Sequence, residues 1–447
     1  MSIQSQDRRP DEETPLLQAK SKTPVPWSQI ILVFIAMVAE PISSAYIFPF
    51  INQLIGELGI TEGDNRKIGY YAGFIESLFF FTQALTTWQW CRLSDFIGRR
   101  PVILTGLLGL TVSTFAFGLS RTLGTLIISR CIAGILNGNI GVMKGMLSDL
   151  TDHTNMAQVF TLVPPIFSVG FTIAVNFGQR TRTSSRLWYR GVASCWRIWF
   201  VAIENGQKVP DQISPAIENP PNDPAVNDAL PIPMLTIVKT YSVMLPIVNY
   251  GLLGLIVIGF LALFPLFCSS PIEIGGLGLP PPIIGAFLAI LGIVDGSFQA
   301  LFGAKLIEWL GAKKVYCWAV LFNYPLIMLF PIMSAVVTAR GTVGPVIWIL
   351  LVIQLICFVF MDLSFSVLFM FITRAAPNKQ SLGSVHGLSQ SLTSAARAIG
   401  PVLMTSLFAV SKEYNILGGN LVYVILVILT AILVMLSRRL PTLKNDE

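Results

Sequence analysis

The chain has 447 residues, of which 53% are hydrophobic and only 12% charged, and its mean hydropathy is +0.68; soluble domains carry roughly 25% charged residues. No water-soluble fold hides that much apolar surface, so the solvent for most of this chain is lipid. The formal net charge of +6 does not mark a nucleic-acid partner, because Lys and Arg stand in short gaps between apolar stretches rather than in one basic patch.

Residues 1–26 are polar and punctuated by proline, with no signal peptide before the first apolar run, and are expected to form a disordered cytosolic tail. Within it, Glu12-Glu13-Thr14-Pro15-Leu16-Leu17 has the pattern of an acidic dileucine sorting signal, so Leu16 and Leu17 are candidates for contact with a sorting adaptor, and the vacuolar membrane is favoured over the plasma membrane. A membrane helix needs about 20 mostly apolar residues. Eleven such stretches follow: Trp27–Phe50, Ile68–Trp90, Pro101–Ser120, Thr122–Met146, Ala157–Phe177, Ser242–Leu266, Pro282–Ile307, Val315–Val337, Pro345–Phe371, Leu382–Val410 and Asn420–Leu436.

Charge in the gaps sets orientation. Arg92, Arg99 and Arg100 follow the second stretch and agree with Arg8, Arg9, Lys20 and Lys22 of the tail; Lys313, Lys314, Arg374, Lys379, Arg438 and Arg439 mark alternate gaps at the other end. Both termini are therefore expected in the cytosol, which requires an even number of crossings. The missing crossing falls within Gly178–Lys239, where Leu187–Ile203 is the candidate, yet it contains Arg190 and Arg197, each costing about 2.5–3.5 kcal/mol at a helix centre. The expected layout is a tail (1–26), a first transmembrane half (27–204, anomalous after about 174), a cytosolic linker (205–241), a second half (242–439) and a short cytosolic tail (440–447).

The turn after the second stretch repeats. Asp95-Phe96-Ile97-Gly98-Arg99-Arg100 and Glu308-Trp309-Leu310-Gly311-Ala312-Lys313-Lys314 both place an acid, a glycine three residues on, and then cations, at an offset of 308 − 95 = 213 residues. Equivalent turns in two tandem halves give that spacing.

With this turn the sequence resembles the major facilitator superfamily, whose signature Gly-x-x-x-Asp-x-x-Gly-Arg-Lys/Arg is matched by Cys91 to Arg100 with Cys91 in place of the first glycine. A second signature, Arg-x-x-x-Gly-x-x-x-Gly, is matched by Arg130, Gly134 and Gly138. Wider wording (Ala39-Glu40-Pro41-Ile42, Trp90, Ser148-Asp149-Leu150-Thr151-Asp152) is similar to fungal vacuolar facilitators related to the plant zinc-induced facilitators. The resemblance implies an all-α polytopic membrane protein of two pseudo-symmetric six-helix halves, with the sixth helix here degenerate or missing. It implies a secondary transporter that moves a small solute by alternating access, coupled to protons, and no enzyme or cofactor. Asp95, Gly98, Arg99, Arg100, Glu308 and Gly311 are then the candidates for a latch between the halves. The family's Gly-Pro motif in the fifth span is absent from Gly170–Gln179. This leaves a second reading, in which the chain is a non-transporting sensor or a defective splice or gene-model variant.

Ionisable groups inside spans are expensive and usually face a cavity or a partner. Helices one, four, seven and ten line the path in the family fold, which makes Glu40, Arg130, Asn137, Asn249 and Asp362 candidates for substrate or proton contact, with Glu76 beside them. Glu40 is the foremost: a carboxylate that titrates as the halves rock, or else a buried acid held by Arg130. Asp295, beside Gly296 and Ser297, is expected to satisfy local backbone. Gly134, Gly138, Gly141 and Gly145 form a small-residue stripe explained by close helix packing, and Gly400-Pro401 a packing kink. His153 is expected at a loop surface and His386 in packing or a minor polar contact. Two distant histidines and six scattered cysteines give no metal-ligand spacing, and no nucleophile motif for an integral-membrane enzyme is present.

Overall fold

A computed structural model describes residues 23–45, 55, 65–120, 122–152, 154–181 and 233–442. The sorting motif, the candidate sixth crossing Leu187–Ile203, most of the linker and His153 lie outside the described residues. Every regular element described is helical. In chain order the membrane-length helices are α1 (Trp27–Ser44), α2 (Asn65–Ile97), α3 (Arg99–Gly118), α4 (Leu123–Asp149), α5 (Met156–Ala174), α6 (Tyr241–Ser269), α7 (Pro281–Leu310), α8 (Ala312–Arg340), α9 (Pro345–Ala375), α10 (Leu382–Glu413) and α11 (Leu421–Arg438).

Ten of these are long and apolar enough to cross a bilayer, and α2 is a further 33-residue helix diluted by polar side chains such as Glu76, Gln83, Gln89, Arg92 and Asp95. All eleven stretches read from hydropathy are therefore helices. α1 is interrupted at Val38, ahead of Pro41, and α4 at Asn137-Gly138, between helical pieces Leu123–Leu136 and Asn139–Asp149. In α7 one wide turn, Gln299–Gly303, has π-helical hydrogen bonding, a distortion frequent at functional sites.

The two repeated turns have the same backbone. Gly98 (φ 93°, ψ 159°) and Gly311 (φ 83°, ψ 144°) each break the chain between two helices, and their N–H groups bond back to Ser94 O at 3.1 Å and Ile307 O at 3.0 Å, positions again 307 − 94 = 213 apart. Only glycine adopts that conformation without a Cβ clash, which is why it recurs in both halves.

Halves α1–α5 and α6–α11 share one apolar cluster reaching from Ile30 to Leu440. In the second half it is aromatic: Phe330 stacks on Tyr423 at 5.3 Å and meets Phe260 and Phe267 at 5.6 and 5.1 Å. Contacts of this kind add about 0.5–1.5 kcal/mol each beyond area burial, and in lipid such packing replaces the hydrophobic drive as the glue between helices.

The glycine stripe of α4 packs on α2. Cβ atoms added at Gly138 and Gly141 would come within 2.4 Å of Trp90 and 2.5 Å of Cys91 Sγ, respectively. Beside them, a Cβ on Gly387 of α10 would sit 2.5 Å from Cys91 Cβ and 3.2 Å from Trp88 Cα, and the Cβ added at Gly141 would come within 3.3 Å of Gly387 Cα. Three backbones therefore converge at Cys91, where the family signature has glycine.

Candidate functional site: a polar ladder between the halves

α2 packs on α10 along more of its length than on any other element, and the contact is polar from one end inward. At the end bearing Gly98, the Asp95 carboxylate accepts from Ser384 N (2.8 Å), Ser384 Oγ (2.7 Å) and Gly383 N (3.2 Å). The two backbone N–H groups are orphan donors of the α10 N-terminus, where a carboxylate is doubly favoured. Arg99 donates to Asp95 at 2.6 Å and to Asp149 at 3.1 Å, tying the turn to α4.

One step inward, Ser148 of α4, Thr373 of α9 and His386 Nε2 of α10 lie 2.8–3.0 Å from one another. Next, Lys144 donates to Gln390 Oε1 at 2.9 Å and Tyr250 Oη at 3.0 Å. Ser394 then donates to Gln83 Oε1 at 3.1 Å, while Gln83 Nε2 donates to the Asn137 carbonyl at 3.2 Å. Finally, Arg397 Nη1 stands 3.5 Å from Glu40 Oε1. The α10 rungs are residues 383, 386, 390, 394 and 397. Their three- and four-residue steps hold one helix face for about 21 Å.

Glu40, the foremost sequence candidate, is thus in the inter-half contact, 2% exposed. Its counter-charge is Arg397 of the other half rather than Arg130. Arg130 instead donates to Ser43 O at 3.1 Å and lies over the rings of Phe117 and Phe79 at 5.0 and 5.5 Å, and it is the charge facing Glu76. Asn137 caps the first piece of α4, and neither polar atom of its side chain is hydrogen-bonded among the described residues. Asn249 is committed within the second half, accepting from Tyr316 Oη at 3.1 Å and donating to Leu245 O at 2.8 Å.

Asp362 and Asp295 form a separate buried pair. Gln299, in the wide turn of α7, donates through Nε2 to Asp362 at 2.7 Å and to Asp295 at 3.1 Å, and its Oε1 accepts from Ser366 at 3.0 Å. Asp295 therefore serves a side-chain cluster and not, as expected, local backbone. Of the latch candidates, Asp95 and Arg99 enter inter-element bonds, Gly98 and Gly311 shape the turns, and Glu308 is exposed where the side chain of its counterpart Asp95 is buried.

Sequence reasoning missed Lys144, Gln390 and Arg397 altogether. The signal available was that residues 383–397 make up an unusually polar stretch of a membrane span. An apolar crevice between α6, α7 and α9, lined by Phe260, Phe287, Leu351 and Phe358 among others, shares no residue with the ladder. No cluster of three or more metal-ligating side chains occurs among the described residues.

Residues 33–401 match the Major Facilitator Superfamily. The chain belongs to this family of membrane transporters, which are not enzymes. It is 27% identical to the "Major facilitator-type transporter psiT2" of Psilocybe cyanescens, covering 91% of this chain and 88% of that protein. It is 22% identical to "Protein ZINC INDUCED FACILITATOR 1" of Arabidopsis thaliana, covering 87% and 85%. The fold matches the crystal structure of the human organic anion transporter MFSD10 (TETRAN) with a TM-score of 0.70 at 18% identity, covering 93% of this chain and all of that one. The resemblance to fungal and plant facilitators read from the signatures holds across most of the chain.

Proposed function

We propose that this transporter couples a small solute to protons by alternating access, with Glu40 as the coupling carboxylate. The observation carrying this reading is the Glu40–Arg397 pair, which joins the two halves inside the bilayer. Ionised Glu40 and Arg397 attract each other strongly where the dielectric is low. A proton on Glu40 removes that attraction, so the state in which the halves meet along α2 and α10 loses one of its ties and the open state gains population. Asp95, Gly98, Arg99 and Arg100 form the latch at the cytosolic end, with Glu308 and Gly311 as the counterpart turn. Asp362 contributes a second proton site with Asp295, because two buried carboxylates sharing one amide donor share a proton more readily than they hold two charges. Glu76 and Arg130 balance each other within the first half, and Asn137 offers an unsatisfied amide to solute. Both termini face the cytosol, and the dileucine motif directs the protein to the vacuolar membrane.

The test uses spin labels at Phe96→Cys and Trp309→Cys, two exposed positions on the paired turns, in full-length protein lacking other reactive thiols. Inter-label distance should lengthen as pH falls from 8 to 5. Glu40→Gln should hold the longer distance at every pH. An unchanged pH dependence in Glu40→Gln sinks the coupling role of Glu40.

A further inference from the structure

Lys144 is a buried cation for which the coupling mechanism has no use. It lies in α4, is 2% exposed, and has no carboxylate within ion-pair distance among the described residues. A buried ammonium without a counter-ion costs several kcal/mol unless neutral dipoles offset it. Here they do so in part: Tyr250 Oη and Gln390 Oε1 accept two of its hydrogens, and the ammonium lies 4.2 Å from the centroid of Phe369 and 5.1 Å from that of Tyr250. The two rings meet at 5.5 Å, inclined by 62°.

All of these neighbours belong to the other half, on α6, α9 and α10. When the halves part, Lys144 loses every one of them together and becomes an uncompensated positive charge on the wall of the opened space. The ring faces that covered it are uncovered by the same movement.

We infer that Lys144 is the recognition point for an organic anion, an aryl carboxylate whose acid group pairs with the ammonium in the opened space and, as the halves close on it, keeps the place of Gln390 Oε1 while Tyr250 and Phe369 receive its ring. The proposal rests on the alternating-access reading and names the solute class for it. Buried charge selects strongly here, because a neutral or cationic analogue leaves the ammonium unpaired. The aromatic walls add sequence-independent affinity for flat rings.

The experiment compares three probes of similar size carrying different charge, salicylate, salicylamide and benzylamine, by thermal shift and equilibrium binding to the full chain in lipid nanodiscs at pH 7.5. Salicylate should bind saturably and at least tenfold more tightly than salicylamide, with benzylamine weaker still. Lys144→Gln should weaken salicylate at least tenfold, while Lys144→Arg, which keeps the charge, should retain most of the affinity. The comparison among probes on the unmodified chain stands even if a variant fails to fold. The inference is overturned if salicylamide or benzylamine matches salicylate, if Lys144→Gln binds salicylate normally, or if none of the three binds. Failure of alternation itself would appear in the spin-label distances, which need no ligand, so the two outcomes are separable.

Discussion

The two halves meet along two seams built on different principles. The seam along α10 is a ladder of directional polar contacts to Asp95 and Gln83 of α2, Ser148 and Lys144 of α4 and Glu40 of α1, closed over backbones that touch at Cys91 and Gly387. The α5–α7 seam brings small residues together with spacing that loosens along its length: a Cβ on Gly303 would lie 3.1 Å from Thr161, one on Gly296 3.6 Å from Pro165, and one on Gly292 3.9 Å from Ser168. Directional contacts are made or lost as a set, whereas small apolar surfaces tolerate sliding. The first seam has the character of a switch and the second that of a pivot.

Removing the ladder's charges should expose that difference most strongly. Arg397→Ala leaves Glu40 buried without its counter-charge, and an uncompensated buried charge costs about 3 kcal/mol; the thermal midpoint should fall clearly, and Glu40→Gln on top of it should restore most of the loss. Equal damage in the single and double variants would show that the pair contributes nothing as a pair. Asp95→Asn keeps the shape but loses charge-assisted bonds to the α10 N-terminus, about 2 kcal/mol, which corresponds to roughly a thirtyfold shift toward the open form. That shift is read from the same inter-label distances at fixed pH.

Steric substitutions sharpen the contrast. Gly387→Ala drives a methyl into Cys91 and Trp88 and should destabilise by about 1–3 kcal/mol, while Gly296→Ala should be neutral within about 0.5 kcal/mol; similar losses in thermal stability at both positions would erase the distinction between switch and pivot. The smallest effect lies outside the membrane. Asp152 is partly buried, which raises its carboxyl, but hydrogen bonds from Thr154, Thr23 and Asn155 outweigh that and hold it below the usual carboxylate range. A depressed folded value means that this tether is complete above the ordinary carboxylate range near pH 4 and is lost as pH falls through the lower value. Hydrogen-exchange protection of the Thr23 amide, which donates to Thr154 Oγ1, should therefore be lost only in strong acid, and Asp152→Asn should remove that dependence.

Much of the architecture was legible because it follows from local rules. Apolar length alone located the eleven helices, and Gly98 and Gly311 announced equivalent turns because only glycine takes their backbone angles. The glycine stripe of α4 was read correctly as packing. Pairing across the halves was not legible. Glu40 had Arg130 as its nearest plausible partner on the same half, yet Arg397, over 350 residues away, occupies that place. Asp295, beside Gly296 and Ser297, looked satisfied by local backbone, and only the fold brings Asp362 to the Gln299 amide that Asp295 shares. Asn249 sits on a helix expected to line the path but faces Tyr316, since a helix number does not give a rotational setting. Lys144, an ionisable residue inside the fourth stretch, carried the same signal as the acids singled out, but it stood near the end of that stretch in a glycine-rich helix without an acid at helical spacing and was passed over.

Cys91 bears on how such chains are recognised. The signature glycine is required because two or three backbones converge, and here α4 and α10 supply Gly141 and Gly387 against the one larger side chain on α2. The constraint belongs to the total volume at a junction and can be met by any one member yielding space to another. Motif searches that score each position alone will undervalue distant members in which the vacancy has moved to a facing helix. A search that scores the three positions jointly would recover them.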